Sequence, residues 1–416
     1  MSVHSACTFS GALGAPMPAR RTLPRYHRPM KTLPLAALLL LTTSACADLG
    51  GSYRLITDGY RFNYEGVTSE RNESGAVATG VRRVEVDHRF GQVKIEAAGP
   101  GEATGWRWTA KVWADEPALA EMVLDEVALN VREDGRTMAF ELQLPEIFKD
   151  DLRGLRSTLT LLVDSAAEVD VVNAHGNARV AGVAGAVDFE VRHGDSEFAA
   201  LAGRLEGVQA HGELFADGIQ GAKLETSHGR VTIRNAGPLE VKSSHGDATY
   251  DGIRGGLVIE QRHGDVEIHD GPEVHGESAH AHWRAMDIEG LVLDSSHGDV
   301  HARLLAGSAR VDSQHGDVTI ERAGVASDLS SDDHIRCGHG NVKLDLRRNG
   351  YADIDVNHGG VTIYHAMGSG AAINAKASHG DVRSDLPNLG SMEPGQPGAK
   401  IRTSHGDIRC VASGEQ

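Results

Sequence analysis

The chain is poor in the residues from which an ordinary enzyme core is built. Aromatic side chains make up only 5% of its 416 residues, although Phe, Tyr and Trp carry much of the buried area in compact domains. Four cysteines, Cys7, Cys46, Cys337 and Cys410, are too few for a disulfide-stapled scaffold. No apolar run reaches the ~20 residues of a membrane-spanning helix. H-E-x-x-H, C-x-x-C and phosphate-loop patterns are absent, so no motif points to zinc proteolysis, dithiol chemistry or nucleotide binding. Positive charge is scarce as well, with 41 Lys and Arg against 58 Asp and Glu for a net of −17. An acidic surface repels nucleic acid and anionic lipid and favours cations.

Glycine is present in excess: 50 residues, against a usual share of roughly 7%. Its periodic placement makes a repeat architecture the first expectation.

Residues 1–29 carry Arg20, Arg21, Arg25 and Arg28 without an acid and precede a methionine that opens a complete export signal. Translation is therefore expected to start at Met30, with 1–29 an upstream mis-start or extended basic region. Residues 30–45 have a basic start, a short apolar run and small residues before a cysteine, the pattern of a signal peptide. Thr43-Ser44-Ala45-Cys46 resembles the lipobox of bacterial lipoproteins, so Cys46 is the expected lipidation site. Ala47 after it resembles the signal for an outer-membrane destination. Loss of residues 1–45 removes five basic residues and no acid, which takes the charge to −22. Residues 46–80 read as lipid anchor and flexible tether.

From His175 onward one unit recurs: an alternating strand, His-Gly and usually Asp, a second alternating strand, and a glycine turn. Leu257–Ile268 and Ala309–Ile320 are clear copies. The histidines stand at 175, 193, 211, 228, 245, 263, 297, 315, 339, 358, 379 and 405, mostly 17 or 18 apart, with His282-Trp283 as a degenerate copy. Two short strands and two turns per period describe one rung of a β-solenoid. The expected fold is thus all-β, a single stack of about 12 or 13 rungs over 171–411.

Stacking would bury Val231, Ile233, Val266, Ile268, Val318 and Ile320, each contributing about 1.5–3 kcal/mol. Gly194, Gly229, Gly246, Gly264, Gly298, Gly316, Gly380 and Gly406 follow the histidines as tight corners that need positive φ. Gly218, Gly237, Gly252, Gly271, Gly290, Gly307 and Gly324 are expected to do the same at the second corner. Residues 324–336 and 386–399 read as loops extruded from the stack. Residues 81–170 read as a β-rich cap leading into it, with Val84–Ile95 an outlying rung. Further strands are expected near 106–113, 127–132, 138–144 and 158–163, and a short helix near 116–125 opened by Asp115 and Pro117. Cys410 fits a buried apolar slot, and Cys337 would lie three rungs away, roughly 14 Å and beyond disulfide reach.

Val84–Ile95, the strands after it, Leu159-Thr160-Leu161-Leu162-Val163 and the strand-Gly-Asp-Val repeats resemble the bacterial DUF4097 family of candidate adhesins over roughly 82–411. The resemblance implies an extracytoplasmic β-solenoid without an established common activity, and it carries over no catalytic residues. The family typically has Ser or Asn before Gly-Asp, where this chain has His almost throughout.

The leading functional expectation is a non-catalytic envelope lipoprotein, a rigid adhesin-like scaffold held to the membrane by its lipid and facing an envelope protein or polysaccharide. Two readings compete with it. His193 with Asp195, His245 with Asp247, His263 with Asp265, His297 with Asp299, His315 with Asp317, His379 with Asp381 and His405 with Asp407 could bind Zn, Cu or Ni in the periplasm, since imidazole and carboxylate suit such ions. A carbohydrate-binding or carbohydrate-active β-helix would instead need a unique acid–base cluster, for which Asp328, Asp332, Asp333 and His334 are the irregular patch. In the structural alternative the imidazoles stack, and each Asp accepts hydrogen bonds from amides of its own turn. Imidazolium ions one rung apart repel by roughly 1–3 kcal/mol, so stability should fall as pH drops through the histidine range.

Overall fold

The computed structural model describes residues 64–144, 152–322, 330–346, 349–366, 372–385 and 397–413. The upstream region 1–29, the signal 30–45, Cys46 and the tether up to residue 63 lie outside the described residues.

The repeats form a parallel β-solenoid in which each rung has a seven- or eight-residue strand ending on His, a corner, a shorter strand and a second corner. Successive rungs stack in strict register: Val187, Leu205, Ala222, Leu239, Leu257, Val274, Leu291 and Ala309 follow one another up one column. The long strand sends alternate residues inward, the short strand two, and the second corner one more: Leu201, Ile219, Ala236, Ile253, Ile288 or Leu305, all buried. One rung cannot cover its own inward face, so the fold exists only as a stack.

The first corner behaves as its glycines require. Gly246 has φ +120°, and a Cβ there would stand 2.0 Å from the Gly229 carbonyl oxygen one rung away. The second corner differs from expectation. Its left-handed residue is Ala200, Gly218, Asn235, Gly252, Asp270, Asp287 or Leu304, whereas Gly237 and Gly307 lack positive φ and instead abut backbone, with Cβ positions 1.9 Å from Gln220 O and 2.3 Å from Glu289 O. Those glycines answer to rung spacing; Gly271, which pairs with Ile288 at the corner, and Gly290 likewise lack positive φ, and Gly324 is outside the described residues.

Val84–Ile95 is indeed a rung. Arg83–Asp87 and Gln92–Ala97 pair in parallel with Glu168–His175 and Ala178–Ala181. Thr137–Gln143 and Leu152–Val163 extend the two sheets in parallel beyond it, and antiparallel strands Ala128–Asp134 and Gly105–Ala114 then end the progression. Val67–Ala76 pairs antiparallel with Gly105–Ala114, so the expected tether gives way to cap by residue 67. Its alternating pattern, half-buried at Ser69, Arg71 and Glu73, carries no apolar signal. The helix is Pro117–Glu126, and its N-cap is Glu116 without a side-chain cap bond. Asp115 is drawn away by Arg153, at 2.6 and 2.7 Å.

Rung order departs from chain order at the far end. Gly398–His405 lies between Tyr351–His358 and Ala372–His379, and Ile408–Ser413 lies between Val361–Ala366 and Val382–Ser384. The rung made first is the outer one. Of the stretches expected as loops, 323–329 and 386–396 lie outside the described residues, while Asp332 and Gly398 already begin strands. Cys337 and Cys410 therefore lie two rungs apart instead of three, and both are buried free thiols. Burial pushes each up to about 11. Cys410 fills the apolar slot above Ile363, as its place in the repeat suggests.

Candidate functional surface: the histidine and aspartate columns

Thirteen imidazoles form one continuous column, from His175 through His339 and His358 to His405 and His379. Twelve consecutive ring pairs have centroids 4.6–5.1 Å apart and planes within 2–25°. The spacing is that of the sheet itself. Faces are covered by neighbours and ring edges reach solvent. Phe90 occupies the equivalent place beside His175.

The degenerate rung resolves differently from expectation. His280 is the column member, stacked on His263 at 5.1 Å and His297 at 4.6 Å. Ala281 takes the corner place of Gly, and His282 falls in the aspartate column. The sequence signal was available: 280 lies 17 residues from both 263 and 297, but the missing Gly obscured it.

The aspartates accept hydrogen bonds, though from the next rung and not from their own turns. Asp195 Oδ1 accepts from Glu213 N–H at 2.9 Å, Asp247 from Asp265 at 3.1 Å, Asp299 from Asp317 at 2.9 Å and Asp407 from Asp381 at 2.9 Å. Asn177 and Asn341 do the same for Asp195 and Gly360, and His282 Nδ1 does so for Asp299 at 3.0 Å. The left-handed glycine turns one amide out of the backbone ladder. The side chain below supplies its acceptor. Acids never follow one another more than twice in this column: Arg230 stands between Glu213 and Asp247, His282 between Asp265 and Asp299, and Asn341 with Gly360 between Asp317 and Asp407. That spacing limits like-charge repulsion along a 4.8 Å ladder.

A third column was not read from the sequence. The inward residue two places before each His is often polar and buried: Asn173, Gln209, Thr226, Ser243, Gln261, Ser278, Ser295, Ser313 and Thr403. Several of them donate to the corner carbonyls that face the core. Asn173 Nδ2 reaches Gly91 O and Gly176 O at 3.0 Å, Gln261 Nε2 reaches Gly246 O at 2.6 Å and His263 O at 2.7 Å, and Thr403 Oγ1 reaches Gly359 O at 3.2 Å. One polar residue at a fixed place in an apolar alternation was the signal. His88, one place beyond the Asp87–Val172 pair, heads this column. It is fully buried, with Nε2 3.0 Å from Ser157 Oγ, which also accepts from Trp108 Nε1 at 2.9 Å. Burial lowers its pKa to about 3. In the exposed column burial also lowers His175, His193 and His211, aided by Arg192 for the first two and by the preceding imidazole for the last two.

The metal reading meets a geometric obstacle. Parallel rings stacked at 4.6–5.1 Å hold like nitrogens about as far apart, whereas an ion with Zn–N bonds of about 2.1 Å spans at most roughly 4.2 Å. The Oδ1 atoms of Asp195, Asp247, Asp299, Asp317 and Asp407 are engaged by the next rung, and Asp265 and Asp381 pair through Oδ2 with Arg284 and Arg383. Among the described residues no three His, Cys, Asp or Glu side chains converge as a metal site.

The irregular acidic patch does not assemble either. Asp333 points inward and pairs with Arg322 at 2.5 Å, both side chains having 0% exposure; it also accepts from Ala309 N–H at 2.8 Å and Ser331 Oγ at 3.2 Å. Burial raises its pKa and Arg322 opposes the shift. Asp332 faces outward beside His334 at 3.2 Å, and Asp328 is outside the described residues. The neighbouring groove on the long-strand face is lined by charges of both signs, including Arg402, which bonds Asp355 at 3.3 Å.

No protein-family model matches the chain, and no curated protein does. Among solved structures it is similar to a candidate cell adhesion protein from Clostridium sporogenes, at 9% identity over 83% of this chain and 100% of that one, with a TM-score of 0.17. A candidate adhesin from Parabacteroides distasonis aligns at 11% identity over 83% and 98%, TM-score 0.19. A candidate lipid binding protein from the same organism aligns at 10% over 83% and 97%, TM-score 0.21.

Proposed function

We propose that this protein is a non-catalytic scaffold of the cell envelope: a stiff, acidic β-solenoid, held by a lipid on Cys46 to the outer membrane, that presents its outward columns to an envelope protein or polysaccharide in an adhesion-type role. The observation that carries the reading is repetition without a unique site among the described residues. The three polar columns are engaged in joining rungs, and of the irregular acidic patch Asp333 lies in the core and Asp332 at the surface. Chemistry needs a singular cluster of groups; spacing and multivalent presentation need many equal ones.

Length is the property to test. Deleting Gly229–His263 joins His228 to Gly264 and removes two rungs with the register intact. A scaffold shortened in this way should stay folded, become about 10 Å shorter, and lose attachment of cells that display it by a graded amount. Alanine substitution of single outward side chains should change attachment little. Abolition of attachment by one such substitution, or polysaccharide cleavage lost with one residue, would overturn the scaffold reading. Incorporation of labelled fatty acid, expected in the natural chain and absent in Cys46→Ser, tests the anchor separately.

A further inference from the structure

The two ends of the stack are built differently. The N-terminal end is closed by antiparallel strands and the helix Pro117–Glu126, which buries Ala120, Val123 and Leu124. At the far end, among the described residues, Ala372–His379 pairs on one side only, with Gly398–His405. Its inward residues Ala375 and Ala377 are half-buried and Val382 of the same rung is 38% exposed, although residues at these places are buried inside the stack. Sheet edges of this kind recruit further strands unless blunted by charge, proline or cover; this one has a single Lys and no Pro in its eight residues.

We propose that this edge joins a second copy of the chain, with Ala372–His379 pairing antiparallel to itself about a two-fold axis through Ala375. The sequence of the strand is self-complementary in that register. Residues directly opposite each other in an antiparallel pair point to the same face. On the inward face Ile373 then meets Ala377 of the second copy, large against small, and Ala375 meets itself, so the two cores become continuous. On the outward face Lys376 meets Asn374, and no like charges are opposed. A two-fold contact uses one patch twice and closes on itself, so it ends assembly at a dimer. At the N-terminal end the outermost strands, Val67–Ala76 and Ala128–Asp134, carry charged side chains, which blunts those edges against further strand addition.

Asn374 is exposed, so its replacement leaves the rung's packing intact and tests the register by sign. Asn374→Lys opposes two Lys pairs across the dyad and should raise the dimer Kd roughly three- to tenfold; Asn374→Glu sets two Glu–Lys pairs and should lower it by a similar factor. Sedimentation velocity on the full chain over a concentration series reads both, with circular dichroism confirming an unchanged fold. A natural chain that is monomeric throughout, or a dimer whose Kd moves with neither substitution or in the same direction with both, overturns the proposal. The result does not depend on whether the molecule acts in adhesion.

Discussion

Replacing Asp299 by alanine removes the acceptor of the Asp317 N–H and should cost about 1 kcal/mol, the net worth of one such bond. Asp299→Asn should be nearly neutral, because Asn177 and Asn341 already fill that role; urea midpoints of the two variants give the comparison. Tyr250 offers the opposite case. Its hydroxyl is buried without a hydrogen-bond partner among the described residues, and burial pushes its pKa upward. Tyr250→Phe should therefore raise the midpoint, by an amount worth about 1 kcal/mol. At His88 the sign of the pH effect follows from its depressed pKa of about 3. The unfolded chain, with a pKa near 6.5, takes the proton first. The stabilisation is whole above about pH 6.5 and is lost as pH falls toward 3, to a limit on the order of 5 kcal/mol. The lowered His175, His193 and His211 act in the same direction. Melting temperature should fall between pH 7.5 and 4.5, and less steeply in His88→Gln; a flat natural profile would contradict this. At this scale the sequence was readable where sterics dictate the residue, as at Gly194, Gly246 and Gly316. It was not readable at Asp247 or Asp299, because own-turn and cross-rung acceptance require the same residue.

Among the elements, the junction between the rungs that end at Arg322 and begin at Asp332 places an ion pair inside the core. Arg322 is buried although the register of Val318–Ile320 on Val300–Ala302 sets it opposite exposed Leu304, and Asp333 takes the place above Ala309. Arg322 also donates to the Gly307 carbonyl. Arg322→Leu alone strands a buried carboxylate and should destabilise by about 3–5 kcal/mol. The double variant Arg322→Leu, Asp333→Ala replaces the buried ion pair by apolar side chains and should recover most of that loss, which a double-mutant cycle by chemical denaturation would show. The alternation in Val84–Ile95 revealed its rung because burial there follows the period of two. Val67–Ala76 stayed hidden because its half-buried face is Ser69, Arg71 and Glu73, covered by their stems and by Gly105–Ala114.

For the molecule as a whole, the repeat period, the pleat and the glycine corners make the solenoid legible in the sequence. The order of its last rungs was not. Each His-Gly-Asp unit offers the same register, ring and side-chain acceptor to whatever lies next to it, so adjacency carries almost no sequence signature. The same uniformity makes stability a sum of neighbour terms. Removal of residues 386–416 should let 372–384 settle on 351–366 in place of 398–413, leaving a folded chain one rung shorter; limited proteolysis would show whether 372–384 becomes resistant.

The interposed rung also has a temporal meaning. During synthesis residues 372–384 emerge before the surface on which they finally rest, and the chain must either dock them early and reopen that junction or hold them aside until 398–413 appears. Folding that proceeds as a zipper from the cap keeps the native order of rungs only as far as residue 366. The last step is an insertion, and it should form a slow, separate phase in refolding that the truncated chain lacks.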